Sequence, residues 1–182
     1  MTLKLPQALG LFLAIIVIAC SSDDTSSIPN ENNNQFTFNG ETYNLTMAII
    51  NDENTSTNES SEIGISIFNK SAAELAGNSD LTDINFVYFD FDDVSIQNTT
   101  YNQIDDYDVS INSSVIDSEF NHGNVLLSDS DSESDVYAQL GSVTITNFTQ
   151  FNIQFTFTFT RNDGQIISGS YDGNYILPDI ND

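Results

Sequence analysis

A strict alternation of apolar and polar residues near the C-terminus is the feature that most constrains the fold. From Phe151 to Phe159 every second residue is Phe or Ile, and Asn, Gln or Thr fills each position between them. A period of two is typical of a β-strand with one dry face and one wet face. The sequence Asn-Asp-Gly at residues 162–164 favours a tight turn, because Asp and Gly tolerate positive φ angles. Residues 151–175 therefore predict a β-hairpin with Phe151 to Phe159 facing the core.

Shorter stretches with the same period run through the chain from residue 35 onward, separated by polar loops of which residues 51–62 and 128–135 are the longest. Their apolar positions are Phe36 and Phe38; Tyr43, Leu45, Met47 and Ile49; Ile63, Ile65 and Ile67; and Val143 and Ile145. Residues 84–91 are apolar on both faces, which indicates a central strand or a strand that a loop covers.

One short helix is predicted at residues 71–77, where Ser71 and Glu74 have capping-box spacing and Gly77 supplies a stop. The sequence contains no long amphipathic helix, so an α/β fold is excluded. It predicts a single all-β domain over residues 35–182, folded as an antiparallel β-sandwich or a flattened barrel.

Residues 1–19 have the layout of a secretory signal peptide. They carry one positive charge, at Lys4, no acidic residue, and an apolar run of about twelve residues that ends at Ala19. A helix that spans a bilayer needs roughly 20 apolar residues. The run therefore predicts a signal that is removed rather than a membrane-spanning helix.

The apolar run ends in the sequence Val-Ile-Ala-Cys at residues 17–20, which resembles the lipobox of bacterial lipoproteins. The resemblance implies cleavage just before Cys20 and a diacylglycerol thioether on its sulfur. Two or more acyl chains make such an anchor stable. The next residues, Ser-Ser-Asp-Asp at 21–24, resemble the short acidic signal that directs lipoproteins of the Bacteroidota to the outer face of the outer membrane.

Residues 20–34 are predicted to form the lipidated cysteine and a disordered acidic linker, because almost no apolar group is present to offset the entropy lost on ordering. We expect a lipid-anchored protein of the outer membrane that faces the cell exterior. The periplasmic face is the alternative.

Four segments at the two ends of the predicted domain point to a family. They read TFNGETY at residues 37–43, GSVTIT at 141–146, FTFT at 155–158 and ISGSYDG at 167–173. In their order and in their Thr and Phe alternation they resemble a family of small, uncharacterised, β-rich flavobacterial lipoproteins. The resemblance covers the first and last thirds of the domain, and residues 51–121 show no family pattern.

The charge of the chain is strongly negative, with 27 Asp and Glu against 3 Lys and Arg. Nucleic acids and anionic lipid surfaces are bound by clusters of Lys and Arg, which this chain lacks. The composition therefore excludes a nucleic-acid binder. The same excess of charge favours a soluble monomer, since like-charged copies repel each other.

The residues needed for the common catalytic sites are scarce. A catalytic zinc needs several His and Cys residues, whereas the chain has one histidine, His122, and one cysteine, Cys20. A Ser-His-Asp hydrolase would have to use His122, which is predicted to lie exposed in a polar turn, and no Gly-x-Ser-x-Gly or nucleotide-binding motif occurs. The sequence predicts neither an enzyme nor a bound cofactor.

Acidic clusters are the only abundant chemistry. They are Asp90, Asp92 and Asp93; Asp105, Asp106 and Asp108; and Asp129, Asp131, Glu133 and Asp135. The last cluster has the spacing of the first half of an EF-hand loop, but Ser134 and Leu140 replace its glycine and its bidentate glutamate. Solvated loops are therefore favoured over a calcium site. Four tyrosines are interpreted as core residues rather than as platforms for sugars, namely Tyr101, Tyr107, Tyr171 and Tyr175.

The leading hypothesis is thus a non-catalytic, monomeric lipoprotein whose β domain binds an unidentified ligand or covers the envelope, with its membrane contact made through lipid on Cys20. Three alternatives stay open. They are a calycin-like carrier of a small apolar ligand, a calcium-dependent surface binding module and an acid–base hydrolase built on paired carboxylates.

Overall fold

Strands occupy most of the chain that the computed structural model describes, which is residues 34–52, 58–77, 79–129 and 135–178. Twelve strands and one helix lie within these ranges. The strands are β1 (Gln35–Phe38), β2 (Glu41–Asn44), β3 (Met47–Asp52), β4 (Ser61–Phe68), β5 (Leu81–Asp93), β6 (Thr100–Tyr101), β7 (Tyr107–Ile116), β8 (Glu119–Asn121), β9 (Asn124–Ser128), β10 (Ala138–Phe148), β11 (Asn152–Arg161) and β12 (Ile166–Ile176). The prediction of an all-β fold is confirmed.

The strands form one mixed sheet made of two halves. The first half contains β6, β10, β11, β12, β1 and β2, and the second contains β3, β4, β5, β7, β8 and β9. The halves join where β12 pairs in parallel with β3, at Tyr175 opposite Ala48 and Ile176 opposite Ile49. The other strand pairs in the described ranges are antiparallel. The sheet does not close on itself, so of the two predicted arrangements the structure has the sandwich-like one.

The core lies between the two halves and is built from aromatic and branched side chains. The ring of Phe89 on β5 contacts the rings of Phe155 and Phe157 on β11, with centroids 5.5 and 6.1 Å apart. All three side chains are buried, and burying one such side chain contributes roughly 1.5–3 kcal/mol. The prediction of a central strand at residues 84–91 is confirmed, because β5 lies between β4 and β7. Phe86, on the opposite face of β5, packs against Phe120.

The predicted alternation in β11 is confirmed from Ile153 to Phe159, where the apolar side chains are at most 1% exposed. It is wrong at Phe151, which lies before the strand and is 71% exposed. The hydroxyl of Thr149 accepts hydrogen bonds from the backbone N–H groups of Phe151 and Asn152, at 3.4 and 3.1 Å. These bonds hold a turn that directs Phe151 away from the core.

The predicted hairpin turn between β11 and β12 is confirmed at residues 161–165. The N–H of Gly164 donates to the carbonyl of Arg161 at 2.9 Å, and Gly164 has a φ of 82°. Within this turn only the glycine takes a positive φ. The Arg161 guanidinium is buried beside the turn, where it donates to the carbonyl of Leu126 at 2.8 Å and to Asp163 at 2.7 Å.

The predicted helix is present as α1 (Ala72–Leu75) with the expected capping box. The Ser71 hydroxyl and N–H donate to the Glu74 carboxylate at 2.7 and 2.8 Å, and these two bonds lower the pKa of Glu74. Among the residues whose structure is described, no helix has the length and apolar content needed to cross a bilayer. Residues 1–33, including Cys20, lie outside the described ranges.

Candidate functional site

A surface cleft with a volume of about 710 Å³ lies along the first residues of β10, and it is called the β10 cleft below. Residues 138–142 of β10 form one wall, together with the outward-facing Thr158 and Thr160 of β11. Residues 102–105 form the opposite wall. Most of its lining residues carry an amide, hydroxyl or carboxylate group, so it can bind a ligand through hydrogen bonds.

The cleft exists because the chain leaves β10 immediately after β6. β6 pairs with β10 only at Val143 and Thr144, and the chain then diverges at residue 102. Backbone hydrogen bonds draw the following residues onto β5 instead. The N–H of Asp105 donates to the carbonyl of Asp90 at 3.2 Å, and the N–H of Asp90 donates to the carbonyl of Asp106 at 3.0 Å.

The side chain of Asp90 completes this attachment. Asp90 is 3% exposed, and its carboxylate accepts hydrogen bonds from the Asp106 N–H at 2.7 Å and from the Tyr88 hydroxyl at 2.8 Å. Burial raises the pKa of Asp90, although both hydrogen bonds act in the opposite direction. The interpretation of this acidic cluster as solvated is wrong for Asp90, which is a buried structural group that holds the cleft wall. Its position within the apolar residues 84–91 was the available signal.

Tyr107 forms the floor of the β10 cleft and links the two halves of the sheet. Its hydroxyl accepts a hydrogen bond from the Ala138 N–H at 3.1 Å and donates to the Ala138 carbonyl at 3.4 Å. Its ring packs against Phe159, and burial raises the pKa of Tyr107. A ring held this way is part of the core and leaves no face for a sugar.

The other three tyrosines also belong to the core, which confirms the interpretation of the sequence. Tyr101 stacks on Phe91 with centroids 3.8 Å apart, and burial raises its pKa to about 12. Tyr171 is buried, and Tyr175 stacks on Phe148.

The β10 cleft is acidic. Asp105 and Asp129 line it, and Asp92 lines a neighbouring cleft of about 410 Å³ that shares Asp105. Neither cleft has a Lys or Arg among its described lining residues. Because these carboxylates lie close together, they create a negative electrostatic potential, and the region attracts cationic groups and repels anions.

The acidic cluster that resembles half of an EF-hand loop lies only partly within the described ranges. Asp131 and Glu133 lie outside the described ranges, and only Asp129 and Asp135 of that cluster are described. Within the described ranges no group of three or more metal-binding side chains comes together. Calcium binding stays an alternative to the favoured interpretation of solvated loops.

A second cluster surrounds His122, which is exposed, as predicted, and which directly follows β8. The sequence did not predict its contacts. Nδ1 of His122 lies 3.3 Å from the carboxylate of Asp108 and 3.4 Å from Oγ of Ser110. A Ser-His-Asp hydrolase needs the serine and the aspartate on opposite ring nitrogens. Here both face the same nitrogen, and Ser110 is buried and hydrogen-bonded to Ser113 at 2.9 Å.

Asp108 makes the stability of the protein depend on pH. Burial raises its pKa from 3.8 to about 6 against the opposing charge of His122, and its Oδ1 is buried without a hydrogen-bond partner in the described structure. The folded state therefore retains a proton that the unfolded state releases. The free energy of unfolding should decrease as the pH rises from about 4 to about 6 and should stay lower above that range.

Replacing Asp108 with Asn removes this titration. The free energy of unfolding of the Asp108→Asn variant, minus that of wild type, should therefore increase by about 1–3 kcal/mol when the pH rises from 4 to 7.5. Urea denaturation at both pH values measures the difference. Asp117→Asn, at an exposed turn, is the control and should follow the wild-type profile. An Asp108→Asn profile parallel to that of wild type would contradict the assignment.

The chain matches no protein-family model, no curated protein and no solved structure.

Proposed function

We propose that the chain is the precursor of a lipoprotein that is cut before Cys20, anchored by lipid in the outer membrane and exposed at the cell surface. The signal-peptide layout of residues 1–19 and the small residue Ala19 before the thiol support this proposal. Its β domain acts by binding a ligand and carries out no chemistry on it.

The β10 cleft is the observation that carries the binding role. Its walls are held by the buried Asp90 and by the Tyr107 bridge to Ala138, so the site is formed before a ligand arrives. A preformed site loses little conformational entropy on binding. Its lining of amides, hydroxyls and carboxylates suits recognition through hydrogen bonds and charge.

The calycin-like carrier is not favoured by these observations. An apolar ligand would need space between the two halves of the sheet. At the level of Phe89 the rings of Phe155 and Phe157 occupy that space. We therefore propose binding at the surface rather than in the core.

Changing Cys20 to alanine tests the anchor. In a flavobacterial host fed labelled palmitate, the wild-type protein should carry label and sediment with membranes, because two or more acyl chains bind stably to a bilayer. Cys20→Ala should carry no label and leave the membrane fraction, whereas the matched control Ser22→Ala should behave as wild type. Protease added to intact cells then tests surface exposure.

Two results would contradict the anchor. One is an unlabelled wild-type protein, and the other is a Cys20→Ala protein that still sediments with membranes.

A further inference from the structure

The edges of the sheet differ in how well they are protected. Edge strands present unpaired N–H and C=O groups, and short edge strands limit the number of such groups. β2, β6, β8 and β9 have 4, 2, 3 and 5 residues. β10 has 11 residues, and within the described ranges its outer edge pairs only with β6. No strand of the described part of the chain therefore lies beside residues 138–142 on that side.

The backbone of Gly141 faces this open edge. The N–H of Ile145 donates to the carbonyl of Thr99 at 2.9 Å across the same edge, and Val143 is paired with Tyr101 of β6. Backbone groups in a strand alternate sides with a period of two, and no register shift occurs between residues 140 and 145. The N–H and C=O of Gly141 therefore point into the β10 cleft, at the place where β6 would continue if the chain had not diverged.

The cleft also offers apolar contacts beside this edge. Leu140 lies opposite Thr160, and Thr160 lies opposite Ile166, so the three side chains form one row on the outer face of the first half. Leu140 is 71% exposed and Ile166 is 55% exposed. A strand placed along β10 would cover Leu140 with one of its alternate side chains.

The negative charge of the β10 cleft indicates which kind of ligand it binds. Asp105 and Asp129 line the cleft, and the whole chain carries a net charge of −24. A second copy pairing edge to edge would bring the same carboxylates together, which is repulsive. A cationic segment would gain both the backbone hydrogen bonds and electrostatic attraction.

We infer that the β10 cleft binds an extended, positively charged polypeptide segment of another protein, which adds as a strand to the open edge of β10. This inference rests on the proposed binding role of the cleft and names its ligand class. Main-chain hydrogen bonds to Gly141 supply affinity, and Asp105 and Asp129 select basic side chains.

Labelled octapeptides test the inference on the purified full-length lipoprotein in neutral detergent. The probe is alternating Lys and Val, and a Glu-Val peptide reverses its charge. A third peptide keeps the Lys-Val sequence but carries methyl groups on alternate backbone nitrogens, and both methylation phases are used. The unmethylated Lys-Val peptide should bind and slow amide hydrogen exchange at Gly141. The Glu-Val peptide should not bind, and at least one methylated peptide should bind about tenfold more weakly.

Two double variants locate the site. Asp105→Asn with Asp129→Asn should weaken binding of the Lys-Val peptide by about tenfold. Asp117→Asn with Asp172→Asn removes the same charge elsewhere on the exposed surface and should change binding little.

The outcomes separate the inference from the proposed function. If all Lys-Val peptides bind equally, methylated or not, strand addition is overturned but the cleft is still a site for cations. If the two double variants weaken binding equally, the cleft is not where the peptide binds, and the proposed role of the cleft is overturned as well. Failure of the Lys-Val peptide to bind at all also overturns the inference, without bearing on the lipid anchor.

Discussion

Replacing Phe89 with alanine should lower the free energy of unfolding by about 3–5 kcal/mol, because the change leaves a cavity in the centre of the core. Phe89 is fully buried, and its ring meets Phe155 edge-on at 84°. This contact joins β5 of the second half to β11 of the first. Its loss should therefore weaken the packing of the two halves in addition to removing apolar burial. Urea denaturation followed by circular dichroism measures the change.

The chain offers a matched control for this substitution. Phe151→Ala removes the same atoms from a side chain that is 71% exposed. It should change the free energy of unfolding by less than about 0.5 kcal/mol. Equal effects at the two positions would contradict the burial of Phe89 and the exposure of Phe151.

Replacing Gly123 with alanine should lower the free energy of unfolding by about 3 kcal/mol, because the new methyl group would collide with backbone atoms. A Cβ built on Gly123 lies 2.3 Å from the carbonyl oxygen of Asn112 and 2.4 Å from that of Ile111. Both oxygens belong to β7, so relief requires a strand to shift. The Gly123 N–H also donates to Ser113 at 3.0 Å, and this bond would be strained.

The Gly40→Ala variant separates the cost of a steric collision from the cost of a strained backbone conformation. Gly40 has a φ of 79° and nothing within 4 Å of its missing Cβ. Alanine at this position should lower the free energy of unfolding by only about 1 kcal/mol, the penalty for a left-handed backbone conformation. Thermal unfolding of both variants gives the comparison. A smaller loss at Gly123 than at Gly40 would show that β9 moves away from β7 at little cost.

Local patterns accounted for the parts of the fold that local interactions decide. The alternation in β11, the turn at Gly164 and the capping box at Ser71 depend on neighbouring residues, and all three are present. The prediction failed at Phe151 because a turn hydrogen-bonded to Thr149 places this residue before the strand, which begins at Asn152. The parallel contact between β12 and β3 joins distant segments, and no local signal announces such a pairing.

The candidate site was less predictable for the same reason. The β10 cleft depends on where the chain leaves β6, and that point is set by the attachment of Asp105 and Asp106 to Asp90. His122 lies near Asp108 because β8 and β9, the strands on either side of it, both pair with β7, where Asn121 lies opposite Ser114 and Asn124 opposite Ile111. Such contacts arise from strand register, which composition and motif spacing do not encode.

The position of β12 affects the order in which the protein can assemble. This strand comes last among those described, yet it pairs with β1, β3 and β11. Its partner β1 is 131 residues away where Thr37 meets Ser168. Synthesis begins at the N-terminus, so β1 and β3 are made long before β12, the strand that pairs with both of them. Closure of the core must therefore wait for the C-terminal hairpin, and such distant pairing is intrinsically slow.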